Sequence, residues 1–193
     1  MLFRSPNDAG GVFVTGGTAG NLSALLAARV RWRERAAGRL DRTRAMVIVS
    51  KGAHSSVASA VRAIDADVLT ADADPNGRLD VAALRSLVAG LDPAERQRII
   101  AIVATAGTTN AGVIDPLDGA ADVAAELGTW FHVDGAYGGA GLAAPSVRAR
   151  YRGVERADSF IVDPHKWLFA PYDCCALLYR DRKSTRLNSS HTD

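Results

Sequence analysis

Lys166 sits in the stretch Asp163-Pro164-His165-Lys166-Trp167 and is one of only three lysines in a chain with 20 arginines. The others are Lys51 and Lys183. Arginine can supply positive charge anywhere in such a chain, but guanidinium does not give up its proton in a protein, so a step needing a primary amine needs lysine. Lys166 follows Ser159-Phe160-Ile161-Val162, which reads as a short buried strand. A lysine just past a buried strand end is a candidate Schiff-base former. The plainer alternative is a lysine that caps a strand with its amine in water. Asp134 ends a second such run, Trp130-Phe131-His132-Val133-Asp134, as a turn residue or as the partner of a buried cation. Lys166 follows it by 32 residues, one strand-loop-helix-strand unit, so both can reach one edge of a sheet. A third feature, Gly16-Gly17-Thr18-Ala19-Gly20-Asn21, lies where a strand gives way to a helix. Free backbone N–H groups and the positive end of a helix dipole suit a phosphate there. Many strand-to-helix turns are also glycine-rich for steric reasons alone.

The apolar spacing supplies a scaffold for these residues. Val12-Phe13-Val14 reads as a strand leading into the glycine turn, and Leu22, Leu25, Leu26 and Val30 mark one side of a helix from about Asn21 to Ala37. Met46-Val47-Ile48-Val49 predicts a strand, then a small-residue helix from Ser55 to about Ile64 and a short strand at Val68-Leu69. Asp74-Pro75-Asn76-Gly77 is a turn signal. Asp80 is placed to cap a helix from Val81 to Ala89. A buried strand from Arg98 to Ala104 is followed by a Gly-Thr-Thr-Asn loop and a helix from Pro116 to Leu127. The strand Trp130–Asp134, a glycine-rich loop from Gly135 to Gly141, and strands Ser159–Val162 and Cys174–Tyr179 complete the pattern. Alternating strands and helices with continuously apolar strands predict an α/β fold, its mostly parallel sheet covered on both faces. Such sheets bind ligands beyond the carboxyl ends of their strands, where Lys166, Asp134 and the glycine turn all fall.

Composition narrows the functional classes. The 193 residues suggest one domain, and 48% hydrophobic with 23% charged residues is ordinary for a globular protein. A net charge of +2 argues against a nucleic-acid surface. The one basic cluster, Arg29 to Arg35, is interrupted by Glu34 and reads as a solvated helix face. No apolar run approaches the roughly 20 residues that span a bilayer, and the first residues lack secretory character. Cys174 and Cys175 are adjacent and read as reduced core residues, the pattern of a cytoplasmic protein. No metal is expected. Residues 183–193 hold one large apolar side chain and no period, the pattern of a non-core tail or of foreign sequence.

An aspartate for a pyridinium nitrogen and a lysine for an aldehyde are the two protein groups that pyridoxal phosphate requires. Five ordered motifs carry a resemblance on that basis. They are Gly17-Thr18-Ala19-Gly20-Asn21, Ala53-His54-Ser55-Ser56, Ala104-Thr105-Ala106-Gly107-Thr108-Thr109, His132-Val133-Asp134-Gly135-Ala136-Tyr137 and Pro164-His165-Lys166-Trp167. With them the chain resembles the pyridoxal-phosphate-dependent decarboxylases of the aromatic-amino-acid and glutamate group. The resemblance implies a fold-type I large domain, three αβα layers around the sheet, and decarboxylation of an L-amino acid to the amine and CO2. It implies that Lys166 forms the covalent imine with pyridoxal 5'-phosphate, that Asp134 pairs with the ring nitrogen, and that His54 stacks on the ring. Thr18, Ala19 and Gly20 would bind the phosphate. Thr109 would lie near the ring, Ala136 against its face and His165 beside the phosphate or the imine. Asp115 would support the site from behind.

Asp163 stands where several relatives have Asn, so a negative charge near the phosphate must be turned away or hydrogen-bonded. Gly135-Ala136 replaces the commoner Ala-Ala pair. Trp167 leans toward aromatic substrates. Relatives of this kind are longer at both ends, so residues 1–182 read as a cofactor-binding domain lacking N- and C-terminal parts, from a protein that works as a homodimer. Other fold-type I lyases or aminotransferases, or an inactive cofactor-binding fragment, share the same residues. A rival is the NAD(P)-binding short-chain dehydrogenase, which Val14-Thr15-Gly16-Gly17-Thr18-Ala19-Gly20 also resembles. Its Tyr-x-x-x-Lys pair occurs here only as Tyr179 and Lys183, in the wrong setting for a helix.

Overall fold

The computed structural model describes residues 9–36 and 43–181. Residues 183–193, and with them Lys183 and the expected tail, lie outside these. Seven strands form one sheet: β1 (Gly10–Val14), β2 (Ala45–Ser50), β3 (Ala66–Ala71), β4 (Ile99–Thr105), β5 (Trp130–Asp134), β6 (Ser159–Val162) and β7 (Cys175–Tyr179). Their order across the sheet is β1-β7-β6-β5-β4-β2-β3. Strands β3, β2, β4, β5 and β6 pair in parallel, while β7 runs antiparallel to both β6 and β1. With only β7 reversed, the carboxyl ends of all the others share one edge. Among the described residues β1 lies at the margin and pairs only with β7, Gly10 opposite Tyr179 and Val14 opposite Cys175. A dinucleotide-binding turn follows a strand at the topological switch point of a parallel sheet. The glycine turn after a marginal strand does not fit that pattern, which removes the dehydrogenase reading.

Helices cover both faces. On one side α1 (Gly17–Ala36) and α2 (Ser55–Ala63) pack on Val47, Val49, Val103 and Ile161. On the other, α3 (Val81–Gly90) and α5 (Leu117–Leu127) pack on Met46, Ile48, Ile102 and Phe131. The period-two alternation of the strands sorts their apolar residues into these two cores. At β4 the register slips beside Met46 and Val47, so Ile100 and Ala101 both face the α1 side.

The buried side of α1 differs from the expected one. Ala24, Leu25, Ala27 and Ala28 are buried, whereas Leu22 and Leu26 are 37% and 44% exposed. Small residues let the helix axis approach the sheet closely, and the bulkier leucines are left on the outside. Asp80 caps α3 as expected, accepting from the N–H groups of Ala82 and Ala83. A five-residue helix α4 (Pro93–Gln97) was not anticipated, although Asp92 and Glu95 form a reciprocal capping box with Pro93 at the first turn. Between β5 and β6 the chain makes three 3-10 turns in place of a full helix. Among the described residues no helix is long and apolar enough to cross a membrane.

Candidate active site

The common edge of the sheet opens into a cleft of about 470 Å³. Each wall comes from a different connection. Gly16, Gly17 and Thr18 follow β1, His54 and Ser56 follow β2, and Thr109 follows β4. Asp134 and Ala136 come from the end of β5, and Asp163, His165 and Lys166 from beyond β6, on the short helix α6 (Pro164–Trp167) and its start. Strands β5 and β6 are direct neighbours, with Asp134 opposite Ile161, so Asp134 and Lys166 meet at one mouth. Glycine is obligatory at the crossing behind them. Gly107 has φ +99, and a Cβ built on it would stand 2.5 Å from the Cα of Gly138.

Asp134 is 5% exposed, yet both carboxylate oxygens are engaged. Oδ1 accepts from the N–H of Ala136 at 3.0 Å, and Oδ2 accepts from Asn21 Nδ2 at 2.9 Å. Asn21 Nδ2 also donates to Ser56 Oγ at 3.0 Å, and its Oδ1 lies 2.8 Å from His132 Nε2. His132 is fully buried, with Nδ1 2.8 Å from Ser159 Oγ, which accepts from Trp130 Nε1 at 2.8 Å. Burial holds the imidazole of His132 far below its usual range, at about 4, against the opposing pull of the Asp134 charge. His54 caps α2, its Nδ1 accepting from the N–H of Ser56 at 3.2 Å and lying 2.8 Å from Ser56 Oγ.

Lys166 Nζ stands 3.0 Å from Asp163 Oδ2, and Asp163 is 2% exposed. The same oxygen is 3.8 Å from His165 Nε2, while His165 Nδ1 sits 2.8 Å from the carbonyl oxygen of Cys174. Asp163 thus faces a cation, which answers the concern raised by its negative charge. Burial first, and then the Asp163 carboxylate, push the Cys175 thiol well above its usual range, which keeps it an inert filler behind the site.

Thr18, Thr109, Ala136, His54, His165 and Asp163 all line the cleft with Lys166 and Asp134. Helix α1 begins earlier than expected, at Gly17 rather than Asn21. The N–H of Gly20 is therefore spent on the carbonyl of Gly16 at 3.0 Å, and its Cα is packed against Cys175 and Ile161. Gly20 is corrected from a phosphate ligand to a close-packing position. The first helical turn leaves the N–H groups of Gly17, Thr18 and Ala19 without an intrahelical partner. Asp115 lies behind the cleft at 2% exposure, accepting from the N–H of Leu79 and of Thr105, both at 2.7 Å. Burial outweighs those bonds and pushes its carboxyl above the usual range.

Asn21, Ser56, His132, Ser159 and Thr105 were missed as site residues. A signal existed for Asn21, which falls in the 21, 24, 25, 28 stripe that α1 buries. His132 and Ser159 are polar residues inside apolar strands, a weaker sign of the same kind. Two buried cleft atoms, Thr105 Oγ1 and Asp163 Oδ1, have no hydrogen-bond partner. Such atoms call for a polar ligand. With a primary amine, a buried carboxylate, an imidazole and a helix N-terminus around one cleft, the residues present fit pyridoxal phosphate.

Residues 2–190 match the model of the pyridoxal-dependent decarboxylase conserved domain. The chain is 44% identical over 186 residues to an L-2,4-diaminobutyrate decarboxylase of Rhizobium meliloti, covering 94% of this chain and 36% of that protein. It is 35% identical over 179 residues to an aromatic-L-amino-acid decarboxylase of Bacillus atrophaeus, covering 91% of this chain and 36% of the relative. Thus it spans about a third of the length of the curated relatives it matches. Among solved structures, the Oryza sativa TDC with PLP and tryptamine superposes with a TM-score of 0.86 at 29% identity, over 96% of this chain and 39% of that one. The sheet is that of a fold-type I enzyme and pyridoxal phosphate is the cofactor its cleft is built for; the chain belongs to the pyridoxal-dependent decarboxylase family.

Proposed function

We propose that this chain is the cofactor-binding core of a carboxy-lyase that removes CO2 from an L-amino acid and releases the amine. The observation that carries the reading is the meeting of Asp134 and Lys166 at one mouth of the sheet edge, from adjacent strands β5 and β6. When bound, pyridoxal phosphate supplies an aldehyde that takes up amines and a ring that accepts the electron pair left by departing CO2. Lys166 would supply the amine that anchors it, and Asp163 holds that amine at the cleft. Asp134, held in place by Asn21 and the N–H of Ala136, would pair with the ring nitrogen and make the ring a stronger electron sink. Its buried setting strengthens that interaction. His54 has its Nδ1 fixed by the start of α2, and its ring would stack on the cofactor. Gly17 and Thr18, which line the cleft, and Ala19 beside them would offer their N–H groups to the phosphate, with the positive end of a 20-residue helix behind them.

Trp167 stands edge-on to the cleft residue Tyr137 at 5.4 Å between ring centres, which supports an aromatic substrate. A homodimer in the full-length protein is part of the same reading, as is a cytoplasmic setting, supported by the free thiols of Cys174 and Cys175.

Adding pyridoxal phosphate to the purified chain is expected to produce a visible absorption band, and Lys166→Ala to abolish it. A band that survives Lys166→Ala, or none in the wild type, contradicts the proposal. In the full-length protein, CO2 release from a panel of aromatic, acidic and diamino acids would identify the substrate.

A further inference from the structure

We propose that Trp130, Ser159 and His132 form a one-way hydrogen-bond relay that fixes which end of the Asn21 amide faces Asp134, making them positioning residues for the partner of the cofactor ring. The inference rests on the cofactor reading above. Its direction follows from the two ends. The indole N–H of Trp130 can only donate, and the Asp134 carboxylate can only accept. Ser159 Oγ takes the indole proton at 2.8 Å, so its own hydroxyl hydrogen is free for His132 Nδ1 at 2.8 Å. At the other end Asn21 must turn its NH2 toward Asp134 Oδ2, at 2.9 Å, which leaves its carbonyl oxygen for His132 Nε2 at 2.8 Å. The His132 proton therefore sits on Nε2, and every donor along the path has one acceptor. Burial, which disfavours the charged imidazole, agrees with this single neutral tautomer.

The relay also divides. The second N–H of Asn21 goes to Ser56 Oγ at 3.0 Å, which frees the Ser56 hydroxyl to donate to His54 Nδ1 at 2.8 Å. Because Nδ1 also accepts from a backbone N–H, it carries no proton, and the ring proton of His54 is on Nε2. One amide thus sets both Asp134 and His54. If it turned over, a carbonyl oxygen would face the carboxylate and both branches would fail together. Asn21, His132 and Ser159 are each 1% exposed or less, so water does not replace a lost partner.

The test uses the full 193-residue chain. Affinity is read from titration of the visible band, and ring protonation from the 15N resonance of ring-labelled pyridoxal phosphate. His132→Leu and Asn21→Leu are expected to weaken binding by about tenfold or more, the worth of a charge-assisted hydrogen bond. Both should move the resonance toward that of the unprotonated ring. His132→Gln, whose amide can donate to Asn21 and whose carbonyl can accept from Ser159, should stay within about threefold of the wild type and keep the resonance. The proposal is overturned if either leucine variant, folded by circular dichroism, keeps the wild-type affinity and resonance. It is also overturned if the Gln variant folds but loses both as the Leu variant does. A wild-type chain that forms no band removes the cofactor reading and this inference together, whereas a normal wild-type band with unmoved variants removes the inference alone.

Discussion

Two buried carboxylates face one cleft, and their partners separate them. Asp134 is held by neutral donors, an amide side chain and a backbone N–H, with no cation of the described chain among its hydrogen-bond partners. Asp163 is matched within the chain by the Lys166 amine at 3.0 Å. Replacing Asp134 by Asn should therefore remove a carboxylate that Asp163, paired with Lys166, does not replace. We expect Asp134→Asn to weaken pyridoxal phosphate by about ten- to hundredfold, measured by titrating the visible band. A loss of less than about threefold would show that the ring nitrogen does not depend on it. Lys166 and Asp134 were legible in the sequence because each is an ionisable residue at the end of an apolar run. Asn21 and His132 were less so. An uncharged amide in a helix and a histidine in a strand look ordinary until the elements are folded together and their distances appear.

Strands β5 and β6 and helix α1 are cross-linked by polar groups as well as by packing. His132 on β5 reaches Ser159 on β6 and Asn21 on α1. This joint is sensitive to acid. The imidazole protonates at about 4 in the folded chain and near 6.5 when unfolded. The unfolded state therefore binds the extra proton first, and stability falls as pH drops from about 6.5 toward 4. The Asp134 charge opposes this loss. Melting temperatures recorded across that range should fall in the wild type and fall less in His132→Gln. Parallel slopes for the two would remove the assignment. At this scale the sequence was a good guide wherever period and caps agreed, as at β2, α3 and β5. It misplaced the buried side of α1 because it weighted leucine over alanine. In a helix lying close to a sheet, the smaller residue is the one that fits.

The whole molecule leaves apolar surface uncovered. Phe169 is 92% exposed, Tyr172 83%, Phe13 71% and Leu26 44%, on the loop after α6, on β1 and on α1. Apolar surface of this kind is prone to pack against other protein. The isolated chain should accordingly self-associate with rising concentration, with sedimentation velocity shifting toward larger species. A single monomeric boundary at all concentrations would contradict this. The parallel core of the sheet was visible in the alternation of runs. The reversal of β7 and the marginal place of β1 were not, because pairing between residues so far apart in the chain leaves no local pattern.

That marginal place has a consequence for how the protein is made. Of the seven described strands β1 is synthesised first, yet among them it pairs only with β7, the last of the seven in the chain. Its ladder must wait until residue 179 has emerged, while the strands between can already align. During translation the amine and carboxylate side of the cleft can thus take shape before the strand that leads into the glycine turn is seated. The earliest of the described strands is the last of them to be seated.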